Sequence, residues 1–414
     1  MNSLQLQVLL IFLVVYALIV VRRVGRMKFE VWTAMLIGAM ALLGTGAITL
    51  ENAFHAINME VILFLFGMFL LTEVMAQVGL LQYITVRLIR LAGNPSRLLL
   101  IVIFFVGIAS AFFVNDAVVL FTTPIVLAAC SIAKVRKTPY LLGVALSSNI
   151  GSALTPIGNP QNVLIKMESG LSFLYFFERM VVPVMFGLLS EYLVLKIIYR
   201  KDLEKFAGDI QEVRSEMPNK QVSYLVGAIA SGTLLCFILS DMIGWSISLV
   251  AGVGATAALL ISPDRRDALR RVDWGSLIFF SSMFIVMDSV SKSGLLESLV
   301  QLFQSTLLSA GTASLLSIFS ISLIMSQITS NVPFVALILP FFKGGGASQG
   351  EWLALAAGST LAGNLTLLGA ASNIIVLEAA ESRGETFSFL EFMRAGVPTT
   401  LITSGICIGF LSLF

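Results

Sequence analysis

Long apolar runs separated by short polar connections dominate this chain. A membrane helix needs roughly 20 apolar residues. Eight runs fit that pattern outright: Leu4–Val21, Val31–Leu50, Val61–Gln77, Val181–Leu195, Val222–Ser240, Ile243–Ile261, Ser276–Ser291 and Val397–Leu413. Two further uncharged stretches, near Pro139–Ile165 and Trp352–Leu377, are long enough to span but are interrupted by Gly, Pro, Asn and Thr. That predicts ten spans. Two other regions are apolar with a polar centre: Leu98–Ala133 holds Asn115-Asp116, and Leu299–Phe342 holds Ser330-Asn331-Val332-Pro333. Each reads as two half-length helices meeting at a polar tip, a re-entrant hairpin that enters and leaves on one side.

The interrupted spans repeat each other. Residues 148–165 read SNIGSALTPIGNPQNVLI and residues 359–376 read STLAGNLTLLGAASNIIV. Ser148 aligns with Ser359, Thr155 with Thr366, Gly158 with Gly369 and Asn162 with Asn373. The correspondence runs further. LFGMFLLTEVMAQVGLL (65–81) aligns with FSSMFIVMDSVSKSGLL (280–296), which sets Glu73 against Asp288. Ser110, Asn115 and Pro124 align with Ser326, Asn331 and Pro340, and Phe177, Arg179 and Pro183 with Phe392, Arg394 and Pro398. The offset stays between 211 and 216 residues, which chance likeness between apolar segments does not produce. The expected organisation is two homologous halves, 1–198 and 222–414, joined by a charged, exposed linker at 199–221.

Five spans per half is an odd number, so the second half is expected upside down relative to the first. Charge tests this, because cytoplasmic connections collect Lys and Arg. With the N-terminus outside, 22 of the 26 basic residues fall on the cytoplasmic side, from Arg22, Arg23, Arg26 and Lys28 through Lys205 and Arg214 of the linker to Arg383 and Arg394. Lys166, Arg179, Lys292 and Lys343 are the exceptions. The first hairpin has basic residues on both flanks, as a hairpin returning to the cytoplasm requires. Both termini are expected outside the cytoplasm.

Composition narrows the class. Of 414 residues, 57% are hydrophobic and 12% charged, against roughly 25% charged in soluble domains. The chain is expected to be embedded in the lipid bilayer with no sizeable soluble domain. A net charge of +2 gives no footprint for nucleic acid. Cys130, Cys236 and Cys407 lie in separate segments, neither a disulfide framework nor a metal-ligand spacing. His55, the one histidine, reads as a solvated loop residue. The first run has no basic leader and no small-residue cleavage pattern, so it reads as a membrane helix rather than a signal peptide. No catalytic pair is visible, and no cofactor or metal is expected.

Broken helix is tolerated within a membrane only where protein or a cavity surrounds it, and two matched breaks point to a transporter's solute site. Breaks expose N–H groups at one half-helix and C=O groups at the other. Gly158 and Gly369 permit the turn. Asn149, Asn159, Asn162, Asn364 and Asn373, with Thr155 and Thr366, supply neutral donors and acceptors. Asn115 and Asn331 stand at the hairpin tips. These residues form the candidate binding set, and the alternative is that they satisfy one another and merely kink two helices. No Lys or Arg lies in the four segments, which suits a neutral polyhydroxy solute or a singly charged anion. Asp116 is the only charged side chain between Arg97 and Lys134. A carboxylate at that depth is a functional hypothesis by default, here for proton or cation coupling; the alternative is a helix cap. Glu73 and Asp288, near helix ends, are expected at the membrane interface.

The paired TPIGNPQN and TLLGAASN breaks, with VNDAVVLFTTP and SNVPFVALILP at the hairpins, resemble the ion transporter superfamily over essentially the whole chain. Within it the chain is most similar to the arsenite-permease (ArsB-like) branch. The resemblance implies a secondary transporter of the cell (inner) membrane with a scaffold and a moving transport domain. It also implies elevator-type motion, often as a homodimer, and a role in arsenical resistance through efflux of arsenite, antimonite or a similar hydroxy acid. Some arsenite permeases associate with a soluble ATPase; this chain has no nucleotide motif, so ATP use would require that partner. Dicarboxylate–sodium members carry Ser-Asn-Thr at the tips, whereas this chain has Val114-Asn115-Asp116 and Ser330-Asn331-Val332. Proton antiport through Asp116 is the working expectation. A sodium–proton antiporter and a sodium-coupled anion symporter are the alternatives.

Overall fold

The computed structural model describes residues 3–21, 23–24, 27–28, 30–204, 208, 210–213, 217–295 and 311–414. Arg22, Arg26, Lys205, Arg214 and Leu296 lie outside the described residues, as does the expected start of the second hairpin from Leu299 to residue 310. Apart from a two-residue antiparallel ribbon, Arg23–Val24 with Met27–Lys28, the regular structure is helical.

The first half holds α1 (Ser3–Val21), α2 (Val31–Gly44), α3 (Leu50–Ala56), α4 (Met59–Gln77), α5 (Leu80–Ile89), α6 (Pro95–Phe112), α7 (Asn115–Ala133), α8 (Thr138–Ser152), α9 (Pro160–Ser169) and α10 (Phe173–Ile198). The second holds α11 (Lys220–Ile243), α12 (Ile247–Ile261), α13 (Arg265–Arg271), α14 (Trp274–Lys292), α15 (Thr312–Thr329), α16 (Asn331–Gly344), α17 (Gln349–Leu361), α18 (Ala371–Glu381) and α19 (Phe389–Leu411). Among the described residues, α4, α6, α7, α10, α11, α14 and α19 are long and apolar enough to cross a membrane. Helices α2 and α12 are shorter apolar helices, and α8/α9 and α17/α18 are pairs of short helices separated by a break. The chain is an all-α integral membrane protein. Large apolar side chains such as Leu10, Met40, Leu193, Leu235, Leu260 and Leu401 are exposed on its flank, while most of the polar side chains of the breaks are buried.

Caps explain where helices begin. The Asn94 side chain accepts from Arg97 N–H with Pro95 at the first helical position of α6. Asn159 and Pro160 restart the chain as α9 in the same way. Ser348–Glu351 and Ser388–Glu391 form capping boxes at α17 and α19, each satisfying two orphan N–H groups. Lys134, left-handed at φ 52°, ends α7.

Packing partners come in matched pairs. Helix α1 lies on α2 as α11 lies on α12; α4 lies on α12 as α14 lies on α2; α6 lies on α8 as α15 lies on α17; α7 lies on α18 as α16 lies on α9. Helices α10 and α19 pack on each other. Exchanging the corresponding elements of the two halves leaves this set of neighbours unchanged.

Two expectations meet a difference. The arms of the first hairpin have 18 and 19 residues, about 27 Å at 1.5 Å per residue, so they are longer than half-length. Where it is described, the linker is exposed at most of its charged and polar residues, as expected, but is docked at a few apolar points. Leu203, Ile210 and Val213 are buried, Gly208 N–H donates to Ala133 O (3.0 Å), and Arg90 Nε donates to Val213 O (2.7 Å). Its apolar residues, scattered among charges, supply the anchors. His55 is exposed, as expected, but lies in the last turn of the short helix α3 rather than in a loop.

The α6–α8 contact depends on an absent side chain. A Cβ on Gly151 would lie 2.0 Å from Gly107 O, a backbone atom that cannot swing away. Gly151→Ala is therefore expected to destabilise the protein by about 1–3 kcal/mol, the usual cost of overpacking. Gly232→Ala, at an exposed position with nothing within 4 Å, is expected to be tolerated. Thermal unfolding of the two purified variants in detergent checks this: equal melting temperatures would contradict the close packing.

Candidate functional site

The first hairpin tip abuts the first break. Asn115 N–H donates to Gly158 O (3.1 Å), and the Thr155 hydroxyl donates to Ala111 O. Gly158 is pressed so closely that a Cβ would sit 2.3 Å from Ser152 O and 2.9 Å from Ser110 O. In the second half the same tie is made by a side chain. Thr366 Oγ1 donates to Gln327 Oε1 (2.7 Å), and Gln327 Nε2 donates to Ala362 O (2.7 Å). Gln327 occupies the position that matches Ala111.

Each break carries an internal splint. Asn162 Nδ2 donates to Ser152 O and Thr155 O, both at 3.1 Å. Its counterpart Asn373 Nδ2 donates to Gly363 O (2.7 Å) and Thr366 O (3.3 Å). The acceptors match residue for residue at an offset of 211. These amides satisfy carbonyls that the broken helices leave open, so Asn162 and Asn373 shape the breaks.

The breaks then clasp each other. Asn149 Nδ2 donates to Asn373 Oδ1 (3.0 Å), and Ser372 Oγ donates to Asn149 Oδ1 (3.0 Å). At the matched positions Thr360 Oγ1 donates to Asn162 Oδ1, and Gln161 Nε2 donates to Thr360 Oγ1, both at 3.4 Å. Asn149 Nδ2 also reaches Asn364 Oδ1 (2.9 Å), whose own Nδ2 donates to Leu146 O (3.0 Å). Asn159 Nδ2 reaches Thr360 Oγ1 (3.1 Å). The first tip joins the network through Asn115 Nδ2, which donates to Asn149 Oδ1 (3.4 Å).

Nine of the eleven candidate binding residues are thus placed in or against one buried polar core: Asn115, Asn149, Thr155, Gly158, Asn159, Asn162, Asn364, Thr366 and Asn373. Gly369 is buried in the second break, beside Gln327 and the carbonyls of Ala362 and Gly363. Asn331 is buried at the second tip, and its side-chain oxygen has no partner among the described residues. The tip is backed by α1, where Tyr16 hydroxyl donates to Thr329 O (3.1 Å), and Ser330 is left-handed at φ 69°. Sequence reading missed Gln327, Thr360, Gln161 and Ser372. Thr360, Gln161 and Ser372 align with Asn149, Ser372 and Gln161, which was the available signal, whereas Gln327 aligns with Ala111, which gave none.

Asp116 is not part of this network. It is next to Asn115 in the chain but on another face of α7, in a half-open cleft of about 90 Å³. Phe69, Thr72, Glu73 and Ala76 of α4, Leu120 and Phe121 of α7, Arg271, Asp273 and Ile375 also line the cleft. Arg271 lies 2.9 Å from Asp267 and 4.0 Å from Glu73. Asp273 caps α14 by accepting from Ser276 N–H (3.0 Å). Glu73, expected at the interface, shares the cleft with Asp116. Asp288 forms an ion pair with Lys292 (2.9 Å). The cleft has room for a few waters or a small hydroxy acid, well below the ~300 Å³ of pockets that take drug-sized ligands. Among the described residues no group of His, Cys, Asp and Glu side chains is arranged to hold a metal ion.

Known proteins bear out the superfamily resemblance. A 46 kDa membrane protein of Mycobacterium leprae is 30% identical over 95% of this chain and 95% of its own. The Dictyostelium discoideum protein named "Putative transporter arsB" is 24% identical over 89% of this chain and 84% of its own. The human P protein is 26% identical over 95% of this chain, which spans 58% of that protein. Among solved structures, MtrF of Neisseria gonorrhoeae, described with a class of antimetabolite efflux pumps, covers this whole chain and 95% of its own with a TM-score of 0.60 at 13% identity. The YdaH transporter of Alcanivorax borkumensis, of unusual topology, covers this whole chain and 98% of its own with a TM-score of 0.57 at 14% identity. These two likenesses are of fold. Residues 16–358 match the family described as CitMHS, citrate transporter, and the chain belongs to that family of membrane transporters.

Proposed function

We propose that this transporter is secondary active. In this reading it exports a small hydroxy acid of the arsenite and antimonite class in exchange for protons, by elevator-type alternating access. The observation that carries the reading is the meeting of two matched helix breaks and a hairpin tip in one buried core built from neutral amides, hydroxyls and backbone groups. The core side chains hold one another, while Asn331 Oδ1 and the Ser110 and Ser326 hydroxyls near the tips have no partner among the described residues. Neutral groups of this kind, with no fixed positive charge, suit a neutral polyhydroxy solute. The likeness to a protein named for arsB and the fold shared with efflux pumps agree with it.

The arrangement we propose is two inverted repeats, 1–198 and 222–414, with the charged linker 199–221 in the cytoplasm and both termini outside. The matched packing partners support it, and so does the level at which the first tip meets the first break, as a re-entrant hairpin would. On that orientation the cleft leads from the cytoplasmic ends of α4 and α14 to Asp116. The solute binds between the tips and the breaks, and Asp116 exchanges the coupling proton. A bacterial inner membrane, a homodimer and an optional soluble ATPase partner complete the proposal; the protein itself performs no chemistry on its solute. A second reading, sodium-coupled carboxylate symport, is favoured by the citrate family match and by Arg271 in the cleft.

Purified protein in vesicles separates these. Saturable arsenite flux driven by a proton gradient is expected, with an Asp116→Asn variant losing the gradient's drive by an order of magnitude or more. Citrate uptake that needs sodium, without arsenite flux, would establish the second reading instead.

Asn162→Ala and Asn373→Ala remove matched splints. Ser152 O loses the shorter of its side-chain hydrogen bonds and Gly363 O loses the Asn373 amide, while Thr155 O and Thr366 O keep the Gly158 and Gly369 N–H groups. Each change costs about 1–3 kcal/mol. Both are expected to lower the melting temperature by similar amounts and to abolish flux. A large effect from one and none from the other would refute their equivalence.

A further inference from the structure

Helix α10 carries a second membrane-embedded carboxyl that the solute site does not use. Glu191 is 0% exposed, and neither of its side-chain oxygens has a hydrogen-bond partner among the described residues. Helix α10 packs against α19, α8, α6 and α11. Three contacts fix its register on α19: Arg179 sits over the Phe414 ring (3.6 Å), a Cβ on Gly187 would meet Thr403 at 3.2 Å, and Tyr199 and Glu391 both engage Arg136. The helices therefore run antiparallel, and Glu191 comes level with Thr399. Thr399 is also 0% exposed, and its hydroxyl also lacks a partner among the described residues.

Among the described residues, no charge on the elements packed against α10 is placed to compensate an ionised Glu191; Arg200, Lys201 and Asp202, in the turn that continues α10, lie beyond its far end, with Asp202 paired to Arg136. On α19, Glu391 engages Arg136 and Arg394 is exposed. On α6, Arg97 is exposed at the first turn; on α8, Tyr140 donates to Pro95 O. On α11, Lys220 and Tyr224 are exposed and Asp241 pairs with Lys166. On α10 itself Lys196 is exposed, and Tyr192 bonds Ser96. Cys407 lies some two turns from the level of Glu191. An unpaired ion buried there would lose its hydration for nothing in return, whereas a carboxylic acid needs only an acceptor for its O–H, and the Thr399 hydroxyl stands at the right level. The matched positions of Glu191 and Thr399 are Ile406 and Val184, so the pair occurs once, at the seam between two helices that correspond to each other.

We propose that Glu191 is a proton-binding site of the transport cycle, separate from Asp116, that holds an exchangeable proton at the α10–α19 seam opposite Thr399. Movement of one helix along the other would open the seam to water and release it.

The test is infrared spectroscopy of the purified protein at neutral pH, in H₂O and D₂O, with Glu191→Gln and Asp116→Asn. The expected result is a protonated-carboxyl carbonyl band that shifts in D₂O, persists in Asp116→Asn and is lost when Glu191→Gln is added to Asp116→Asn. Absence of the band from Asp116→Asn, its survival in the double variant or its failure to shift in D₂O would each overturn the proposal. These readouts need no transported solute, so failure of the arsenite reading leaves them intact. In vesicles showing proton-driven arsenite flux, Glu191→Gln is expected to cut that flux by about an order of magnitude while melting normally. Unchanged flux and pH dependence would reduce Glu191 to a static buried acid and overturn its place in the cycle.

Discussion

The structure depends on one reciprocal exchange. Asn149, just before the first break, holds Ser372 and Asn373 just after the second. Thr360, just before the second break, holds Gln161 and Asn162 just after the first. A helix interrupted inside an apolar surround leaves donors and acceptors that water cannot reach, and each such group costs several kcal/mol if unpaired. Here neither half satisfies its own break completely. Each supplies the residue the other lacks, so both breaks form together or neither is stable. A core of this kind couples the halves more tightly than apolar packing alone, because an amide left without its partner is penalised far more than a methyl group that shifts.

Around this symmetric centre the charges are not symmetric. Asn58 and Asp273 cap matched helices in the same way, accepting from Val61 N–H and Ser276 N–H, yet one is neutral and the other ionisable. Asp116 corresponds to Val332, and Gln327 to Ala111. The backbone plan is thus used twice, while Asp116, Asp273 and Arg271 of the cleft match Val332, Asn58 and Ala56 in the other half, and only Glu73 has an ionisable counterpart, Asp288. The cluster of Glu73, Asp116, Asp273 and Arg271 therefore has no full counterpart beside the second tip.

Much of this was legible in the chain because matched polar residues in apolar runs have few roles. Asn162 and Asn373 could be aligned, and their alignment located both breaks. Their job as splints could not be read, since the carbonyls they bind are backbone groups with no sequence signature. Gln327 was hidden for a related reason: its partner in the first half is the backbone oxygen of Ala111, so the tie is shared and the residue type is not. Asp116 was found as a charge, but its direction was not, because one residue's rotation about α7 separates the Asn149 network from the cleft. Glu191 lay inside a run read as a plain span. Hydropathy averages over a single acid, and only the packing of α10 on α19 shows that this one has nowhere to meet water.

That burial bears on how the two kinds of polar group divide the work. The amide core is fully engaged in holding the breaks, so shifting it breaks many bonds at once and favours motion of the whole unit as a rigid body. The carboxyls lie at seams instead: Asp116 where α7 and α18 face α4 and α14, Glu191 where α10 faces α19. A group at a seam changes its access to water when the elements on either side move, whereas a group inside a rigid core does not. On the proposed reading, ionisable residues placed at seams would convert relative displacement into a change in protonation, while the neutral core would keep the solute's surroundings constant. The separation of amides in the core from acids at the joints follows from what each group costs to bury.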